Sequence, residues 1–264
     1  MAQRLSLLPM GETTGHFIDT LRALVSREFR MRYKGSFFGI LWAVISPLGQ
    51  VVILQFLFTK VLAVPIPHFP VFMYSALMPW TWFAASLQTG ASTLSDNRAL
   101  VRTPFFAKPL LPWAVTCTNF VLYLLALPVI FGLMIYEGLP FTRALVALPI
   151  IWIVQWVLTL GLTVLIAAVG ILIRDVQHLM AVILLFWFYL TPIFYDLKQM
   201  SPKMAGWFAY NPMTAVVAAH RSIMVNGQLP DWAALASVTV ASAGILAVSL
   251  LVFRALEDSF IDKA

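Results

Sequence analysis

The chain has 264 residues, of which 61% are hydrophobic and only 11% are charged, and its mean hydropathy is +0.89. Because soluble domains carry about 25% charged residues, this composition excludes an ordinary soluble enzyme and predicts several membrane-spanning helices. The net charge of +6 does not indicate a nucleic-acid-binding protein, because the basic residues flank apolar segments and form no separate basic face. The single cysteine, Cys117, excludes an intrachain disulfide and a cysteine-based metal cluster.

The first apolar segment follows directly on a basic cluster. No charged residue occurs from Phe37 to Thr59, and these 23 positions are enough to cross the roughly 30 Å hydrocarbon core as a helix. The basic cluster consists of Arg27, Arg30, Arg32 and Lys34. Its position predicts a cytoplasmic N-terminus under the positive-inside rule.

The apolar segments predict an all-α polytopic membrane protein with one transmembrane domain over residues 1–264 and six spans. The predicted spans are residues 37–62, 71–95, 110–136, 144–173, 179–195 and 233–253. An even number returns the C-terminus to the cytoplasmic side. The predicted inner side carries twelve basic residues, namely Arg4, Arg22, Arg27, Arg30, Arg32, Lys34, Arg98, Arg102, Lys108, Arg174, Arg254 and Lys263. The outer side carries five, Lys60, Arg143, Lys198, Lys203 and Arg221, so the bias supports this orientation.

Two predicted spans have unusual lengths. The fourth is about 30 residues long and must tilt or project from the bilayer, whereas the fifth, with about 17, is near the lower limit for crossing. The amphipathic stretch 196–231 follows it and contains Pro202, Pro212 and Pro230. We expect helices here that re-enter the membrane from the outside, where irregular backbone is tolerated against protein or water.

Residues 14–34 predict an amphipathic helix before the first span, with apolar and basic residues on opposite faces. Glu28 and Arg32 lie four residues apart within the apolar sector, so they can pair. Two interpretations remain open at this point. The helix is either a lipid-surface anchor or an interface helix docked at the entrance of a transport pathway.

The second cytoplasmic loop, residues 96–109, predicts a short helix from Asn97 to Arg102, with Asp96 as N-cap and Pro104 as its stop. Leu100, Val101, Phe105 and Phe106 are expected to be exposed beside three basic residues, as in a docking surface. The alternative is a connector whose aromatic rings lie at the lipid headgroups. The next cytoplasmic turn carries Arg174 and Asp175.

Aromatic residues make up 14% of the chain, and many lie near the predicted outer ends of spans. Most are expected to belong to the interfacial aromatic belt. The alternative is that some face a channel and stack on sugar rings. The candidates are Trp42, Trp80, Trp82, Phe83, Trp187, Tyr189 and Tyr195.

Several nucleotide-binding and catalytic motifs are missing from the sequence. It contains no P-loop, no His-Glu-x-x-His and no Gly-x-Ser-x-Gly motif. No carboxylate lies in the middle of a predicted span, which counts against a proton-coupled transporter and places the energy source outside this chain. A membrane-embedded glycosyl- or acyltransferase would need paired acid–base groups. Asp96, Asp175, Asp196 and Asp231 are isolated in the sequence.

The order of several short motifs resembles the permease subunit of ABC exporters for O-antigen, capsular polysaccharide and teichoic acid. The first motif is Arg30-Met-Arg-Tyr-Lys-Gly-Ser36, followed by Gly39, Trp42 and Pro47. The second is Asn97-Arg-Ala-Leu-Val-Arg-Thr-Pro104 with Pro109. The others are Arg174-Asp175 with His178, Leu190-Thr-Pro-Ile-Phe-Tyr195, and Asn211-Pro-Met213 with Arg221.

This resemblance implies a six-span homodimer in the bacterial cytoplasmic membrane, with two copies of a separate ATPase beneath it. ATP and Mg²⁺ would bind to the ATPase, and no cofactor or metal to this chain. Arg27, Arg30, Arg32 and Lys34 would receive the phosphate head of a lipid-linked glycan. ATPase coupling would fall to Asn97, Arg98, Leu100, Val101, Arg102, Pro104, Arg174 and Asp175. The outer gate would include Asn211, Pro212 and Arg221.

Three other functions compete with this interpretation. The first is a related ABC permease that exports lipids or drugs, and the second is the membrane-embedded transferase considered above. The third is a scaffold without transport activity.

Overall fold

The computed structural model describes residues 10–61, 66–104, 106–197 and 200–263, and within these ranges the chain is mostly helical and forms no β-strand. This confirms the all-α class. The helices are α1 (Met10–Tyr33), α2 (Trp42–Phe56), α3 (Phe69–Asp96), α4 (Arg98–Val101), α5 (Leu110–Tyr136), α6 (Leu148–Leu172), α7 (Val176–Tyr189), α8 (Pro202–Phe208), α9 (Pro212–Met224) and α10 (Trp232–Lys263). Short 3₁₀ turns precede α2 and α6, and a π turn, Leu57–Val61, follows α2.

Four helical segments are long and apolar enough to cross a membrane: Gly39–Val61, Leu110–Tyr136, Arg143–Leu172 and Trp232–Glu257. They coincide with the first, third, fourth and sixth predicted spans. The second predicted span corresponds to α3, which has 28 residues but includes many hydroxyl side chains. The fifth corresponds to α7, which has only 14 residues. Length and composition therefore support four of the six predicted spans.

Helix α3 is the central element of the bundle. Every residue from Phe69 to Trp80 is buried, and the helix packs against α2, α5, α6, α7 and α9. Gln155 on α6 donates a hydrogen bond of 2.7 Å to the carbonyl oxygen of Pro79 within α3. Gln88 on α3 similarly donates to the backbone carbonyl of Gln177 at 3.0 Å. These two amides therefore join helices, as intramembrane amides usually do.

Small residues let α3 and α6 approach each other closely. A Cβ atom added to Gly170 would collide with the carbonyl oxygen of Ala91 and lie 3.0 Å from its carbonyl carbon. One added to Gly90 would lie 2.5 Å from the Cγ2 atom of Thr163. Gly170 faces the backbone of α3, and Gly90 faces a β-branched side chain of α6. These two glycines therefore set the distance between the helices.

One end of the bundle gathers α1, α4, the start of α5 and the end of α10. Leu24, Val101, Leu110 and Phe253 belong to one buried apolar cluster there. Lys108 at the start of α5 lies 3.3 Å from Glu257 in α10. The opposite end carries α8, α9 and the loop that precedes α6. The two sets of predicted functional residues thus lie at opposite ends of the bundle.

Candidate functional site

Three adjoining cavities surround the last two turns of α1. The first, about 320 Å³, lies between α1 and the end of α3 and is lined by Arg27, Arg32 and Asn97. The second, about 600 Å³, is lined by Arg27, Arg30 and Lys34 among others. The third, about 210 Å³, reaches into the bundle between α2, α3 and α5. We call these three cavities the basic entrance.

Arg32 points from α1 into the bundle. Its Nη1 atom donates to the Oδ1 atom of Asn119 on α5 at 2.8 Å, and its Nη2 atom lies 3.5 Å from the hydroxyl of Thr89 on α3. The predicted pair with Glu28 is present at 3.8 Å. A guanidinium that bonds to two other helices docks α1 against the bundle, which favours an interface helix over a plain lipid anchor.

Arg30 and Lys34 face outwards on the same stretch of helix. Both are exposed, and neither forms a hydrogen bond or ion pair with the part of the chain that the structure describes. Tyr33 lines both the second and the third cavity. Burial raises the pKa of its phenol, which therefore stays protonated. The four predicted entrance cations thus divide into two that bind neighbouring helices, Arg27 and Arg32, and two that are available to a ligand.

Arg27 connects the basic entrance to the predicted coupling segment. Its Nη2 atom donates to the Oδ1 atom of Asn97, which precedes α4. Asn97 in turn donates through Nδ2 to the carbonyl oxygen of Thr93 at 2.8 Å. A displacement of α4 would therefore act directly on α1.

The coupling segment differs in detail from its prediction. The helix is Arg98–Val101, and its N-cap position is Asn97; Asp96 is the last residue of α3, so its assignment as N-cap was wrong. Val101 is fully buried and was wrongly expected on the surface, because it packs into the apolar cluster with Leu110. Arg98, Arg102 and Pro104 are exposed, Leu100 is half-buried, and Phe105 lies outside the described residues.

The turn with Arg174 and Asp175 lies beside this segment. Gln177, which follows it, donates to the hydroxyl of Ser95 near the end of α3 at 3.2 Å. Both Arg174 and Asp175 are exposed. The structure therefore brings the two predicted coupling segments to the same end of the bundle.

The predicted channel aromatics occupy different environments. Trp80, Trp82 and Phe83 are buried in α3 and pack against other aromatic rings. Trp42 is exposed, and both Trp42 and Trp82 line the third cavity of the basic entrance. Tyr189 is exposed, while Trp187 and Tyr195 are half-buried. Their role along a transport pathway stays a prediction.

At the opposite end, Asn211 fixes the start of α9. Its Oδ1 atom accepts hydrogen bonds from the backbone N–H of Met213 and from the indole of Trp187, at 3.0 and 2.9 Å. Its Nδ2 atom donates to the carbonyl oxygen of Leu190 at 3.0 Å. Pro202 and Pro212 are the first residues of α8 and α9, where a missing N–H costs nothing. They begin helices and do not interrupt them.

Arg221 ties α9 to the surrounding backbone. Its guanidinium donates to the carbonyl oxygens of Phe72 at 3.3 Å, Tyr195 at 3.2 Å and Ile193, and it lies 3.5 Å from the centre of the Phe72 ring. Burial lowers the pKa of Arg221, and the nearby charge of Asp196 opposes that shift. The side chain stays charged at neutral pH and joins α9, α3 and the 193–195 loop.

His220, the residue before Arg221, belongs to a buried chain of hydrogen bonds. The indole of Trp152 on α6 donates to the hydroxyl of Tyr123 on α5 at 2.9 Å. That hydroxyl lies 3.1 Å from Nε2 of His220, whose Nδ1 atom lies 2.9 Å from the carbonyl oxygen of Val216. Only a neutral His220 that carries its proton on Nδ1 satisfies all these groups. Sequence reasoning missed this contact, since no motif links three helices that are distant in sequence.

The structure predicts that acid destabilises α9 through His220, which lies outside the four candidate spans. Burial lowers its pKa to about 4 from 6.5, so the unfolded chain binds a proton more readily than the folded chain. The stabilisation is complete above pH 6.5 and is lost as the pH falls towards 4, by up to about 3 kcal/mol. The apparent melting temperature in detergent should therefore fall more steeply between pH 7 and 5 in the wild type than in His220→Gln. Parallel pH profiles would contradict this account.

The residues that the structure describes contain no group of three metal-ligating side chains.

The family model of the ABC-2 type transporters matches residues 19–225. The O-antigen export system permease protein of Myxococcus xanthus is 34% identical over 245 residues, which cover 92% of this chain and 94% of that protein. A protein of the same name from Klebsiella pneumoniae is 27% identical over 256 residues, covering 97% and 98%. The polysialic acid transport protein of Escherichia coli is 22% identical over 250 residues, covering 92% and 95%.

Proposed function

This chain belongs to the ABC-2 type transporter family, and we propose that it is the permease subunit of an ATP-driven exporter of lipid-linked surface polysaccharide. The observation that carries the proposal is the similarity, over nearly the whole chain, to permeases named for O-antigen export. Members of the family are transport subunits that work with an ATPase subunit. ATP and Mg²⁺ would bind to that partner.

We propose six crossings, formed by α2, α3, α5, α6, α7 and α10. At 1.5 Å per residue α3 extends about 42 Å, enough to cross the roughly 30 Å hydrocarbon core. Its hydroxyl side chains do not argue against a span, because most of the helix is buried in protein and faces no lipid. Helix α7 extends only about 21 Å. Residues 190–195 would complete that crossing, and α8 and α9 would form the re-entrant outer gate.

The basic entrance supports the proposed substrate and orientation. Arg30 and Lys34 are exposed cations at the end of the bundle that carries α4. The bias of basic residues supports a cytoplasmic position for this end, in a chain that we propose lies in the bacterial cytoplasmic membrane. A lipid-linked phosphate in the inner leaflet would approach Arg30 and Lys34, and its sugar would lie towards Tyr33 and Trp42.

Helices α2 and α7 support a homodimer with a pathway between the two copies. Each has only two buried side chains, Pro47 and Val51 in α2 and Met180 and Leu184 in α7, and both helices pack on α3. Two ATPase copies would bind beneath the dimer at α4. Their closure would push α4, and through Arg27 and Asn97 the entrance helix α1.

The test of this function is deletion of the gene from its host bacterium. We expect the surface polysaccharide to disappear while its lipid-linked form accumulates in the inner leaflet, and the intact gene to restore export. An unchanged surface polysaccharide would contradict the proposal. No observation favours a lipid- or drug-exporting permease over this one.

The double variant Arg30→Ala, Lys34→Ala is expected to reduce export strongly while the protein remains folded. Each cation near an anionic surface contributes about 1 kcal/mol, so losing both weakens headgroup binding by roughly 30-fold. The measurement is surface polysaccharide per unit of membrane-inserted protein. Arg22→Ala is the matched control, because Arg22 is exposed on the same helix but lines none of the three cavities. Equal export by the double variant and by Arg22→Ala would contradict a role of Arg30 and Lys34 in binding the headgroup.

A further inference from the structure

Two cavities adjoin on either side of α9, far from the basic entrance. One, about 330 Å³, is lined by Phe72, Asp196 and Arg221. The other, about 590 Å³, lies between α9 and the first turns of α10. Leu197, Ala218 and Asn226 line both. We call the pair the outer groove, and both volumes fall within the range of ligand sites.

The larger cavity combines small and polar side chains. Five alanines lie along its walls and leave room for a ligand: Ala209, Ala215, Ala218, Ala219 and Ala234. Its polar groups are Thr214, Ser222, Asn226, Gln228, Asp231 and Ser237. Hydroxyl, amide and carboxylate groups donate to and accept from sugar hydroxyls, whereas an acyl chain offers them no hydrogen bond.

Thr214 lies in the wall of the larger cavity and carries a hydroxyl that a ligand could bind. Its side chain is only 6% exposed, and its hydroxyl has no hydrogen-bond partner among the residues that the structure describes. A buried hydroxyl without a partner costs free energy. The hydroxyl oxygen is itself fully buried, so the side chain would have to rotate before a ligand oxygen in the cavity could supply the missing hydrogen bond.

The charges of the outer groove restrict the kind of glycan that fits. Among the described residues that line the groove, the one cation is Arg221, which already donates to three backbone carbonyls and lies near Asp196. Asp231 adds a second carboxylate, so the formal charge of the described lining residues is −1. We propose that the outer groove binds a short segment of neutral glycan and disfavours acidic glycans. This proposal depends on the proposed function in one respect only, namely that the exported polysaccharide is the source of the glycan.

The test is direct binding to the purified full-length chain in mild detergent. Maltotetraose is the neutral probe and tetragalacturonate the acidic probe, each measured by titration calorimetry. We expect the neutral probe to bind more tightly. Ala218→Trp should abolish binding because it fills the groove, whereas Ala236→Trp, exposed on α10 and outside the cavity, should not. Binding that survives Ala218→Trp, or a tighter acidic probe, would overturn the proposal.

Two conservative variants separate ligand binding from structure. Thr214→Val should weaken maltotetraose binding about fivefold, the loss of one net hydrogen bond, without lowering the melting temperature. Asp231→Asn keeps the side-chain oxygen that accepts from the backbone N–H groups of Ala233 and Ala234, and should improve binding of the acidic probe about fivefold. Unchanged affinities in both variants would overturn the proposal.

Failure here is distinguishable from failure of the proposed function, because binding is measured without transport. A chain that exports polysaccharide but binds neither probe would contradict the outer groove alone. A lipid that copurifies with the wild type and is lost from Ala218→Trp would also contradict it.

Discussion

Replacing Arg221 with alanine is expected to lower the stability of the chain by about 3 kcal/mol, or roughly 10 °C in apparent melting temperature. The guanidinium donates to three backbone carbonyls and covers the ring of Phe72. Its removal leaves those carbonyls without their donor at a buried site. Because the bonded backbone belongs to α3 and to the 193–195 loop, α9 should detach from both.

The measurement is thermal unfolding in detergent, followed by tryptophan fluorescence. Arg143→Ala is the matched control, since Arg143 is exposed at the same end of the bundle and should change stability little. Arg221→Lys keeps the charge but loses the planar fork of donors, so it should recover only part of the loss. If Arg221→Ala melted with the wild type, the anchoring of α9 by this side chain would be wrong.

Gly170→Ala is expected to destabilise the bundle by a similar amount, about 3 kcal/mol. The new methyl group would collide with the backbone carbonyl of Ala91, and no side-chain rotation can relieve that collision. Helices α3 and α6 would have to separate. Since α3 is central, the change should spread to the packing of α5 and α7.

A graded series of glycines tests this explanation. The methyl group of Gly90→Ala would collide only with the Cγ2 atom of Thr163, which can move, so the effect should be smaller. A Cβ atom added to Gly132 on α5 would meet no atom of another element within 4 Å, so Gly132→Ala should leave stability unchanged or slightly higher. Equal stability in all three variants would show that the close approach of α3 and α6 does not limit the fold.

The sequence predicted those features that depend on local composition. The four apolar segments long enough to span were found because their hydropathy is visible residue by residue. It could not predict that α3, with its many hydroxyls, is the central helix, since its burial depends on the helices around it. Val101 was placed on the surface for the same reason: a four-residue helix does not show which neighbour covers it.

The candidate site was predicted as a set of basic residues but not as a geometry. Sequence proximity grouped Arg27, Arg30, Arg32 and Lys34, and the structure separates them by direction. Arg32 reaches Asn119, which is 87 positions away in the chain. Such long-range partners leave no local pattern, and the same holds for the Trp152, Tyr123 and His220 chain.

The central claim is that this permease works with a separate ATPase, and the most direct measurement is affinity purification from native membranes in mild detergent. The account predicts that a P-loop subunit copurifies in equal amount with this chain and that the complex hydrolyses ATP. Recovery of the chain alone under these conditions, with no ATP hydrolysis, would contradict it.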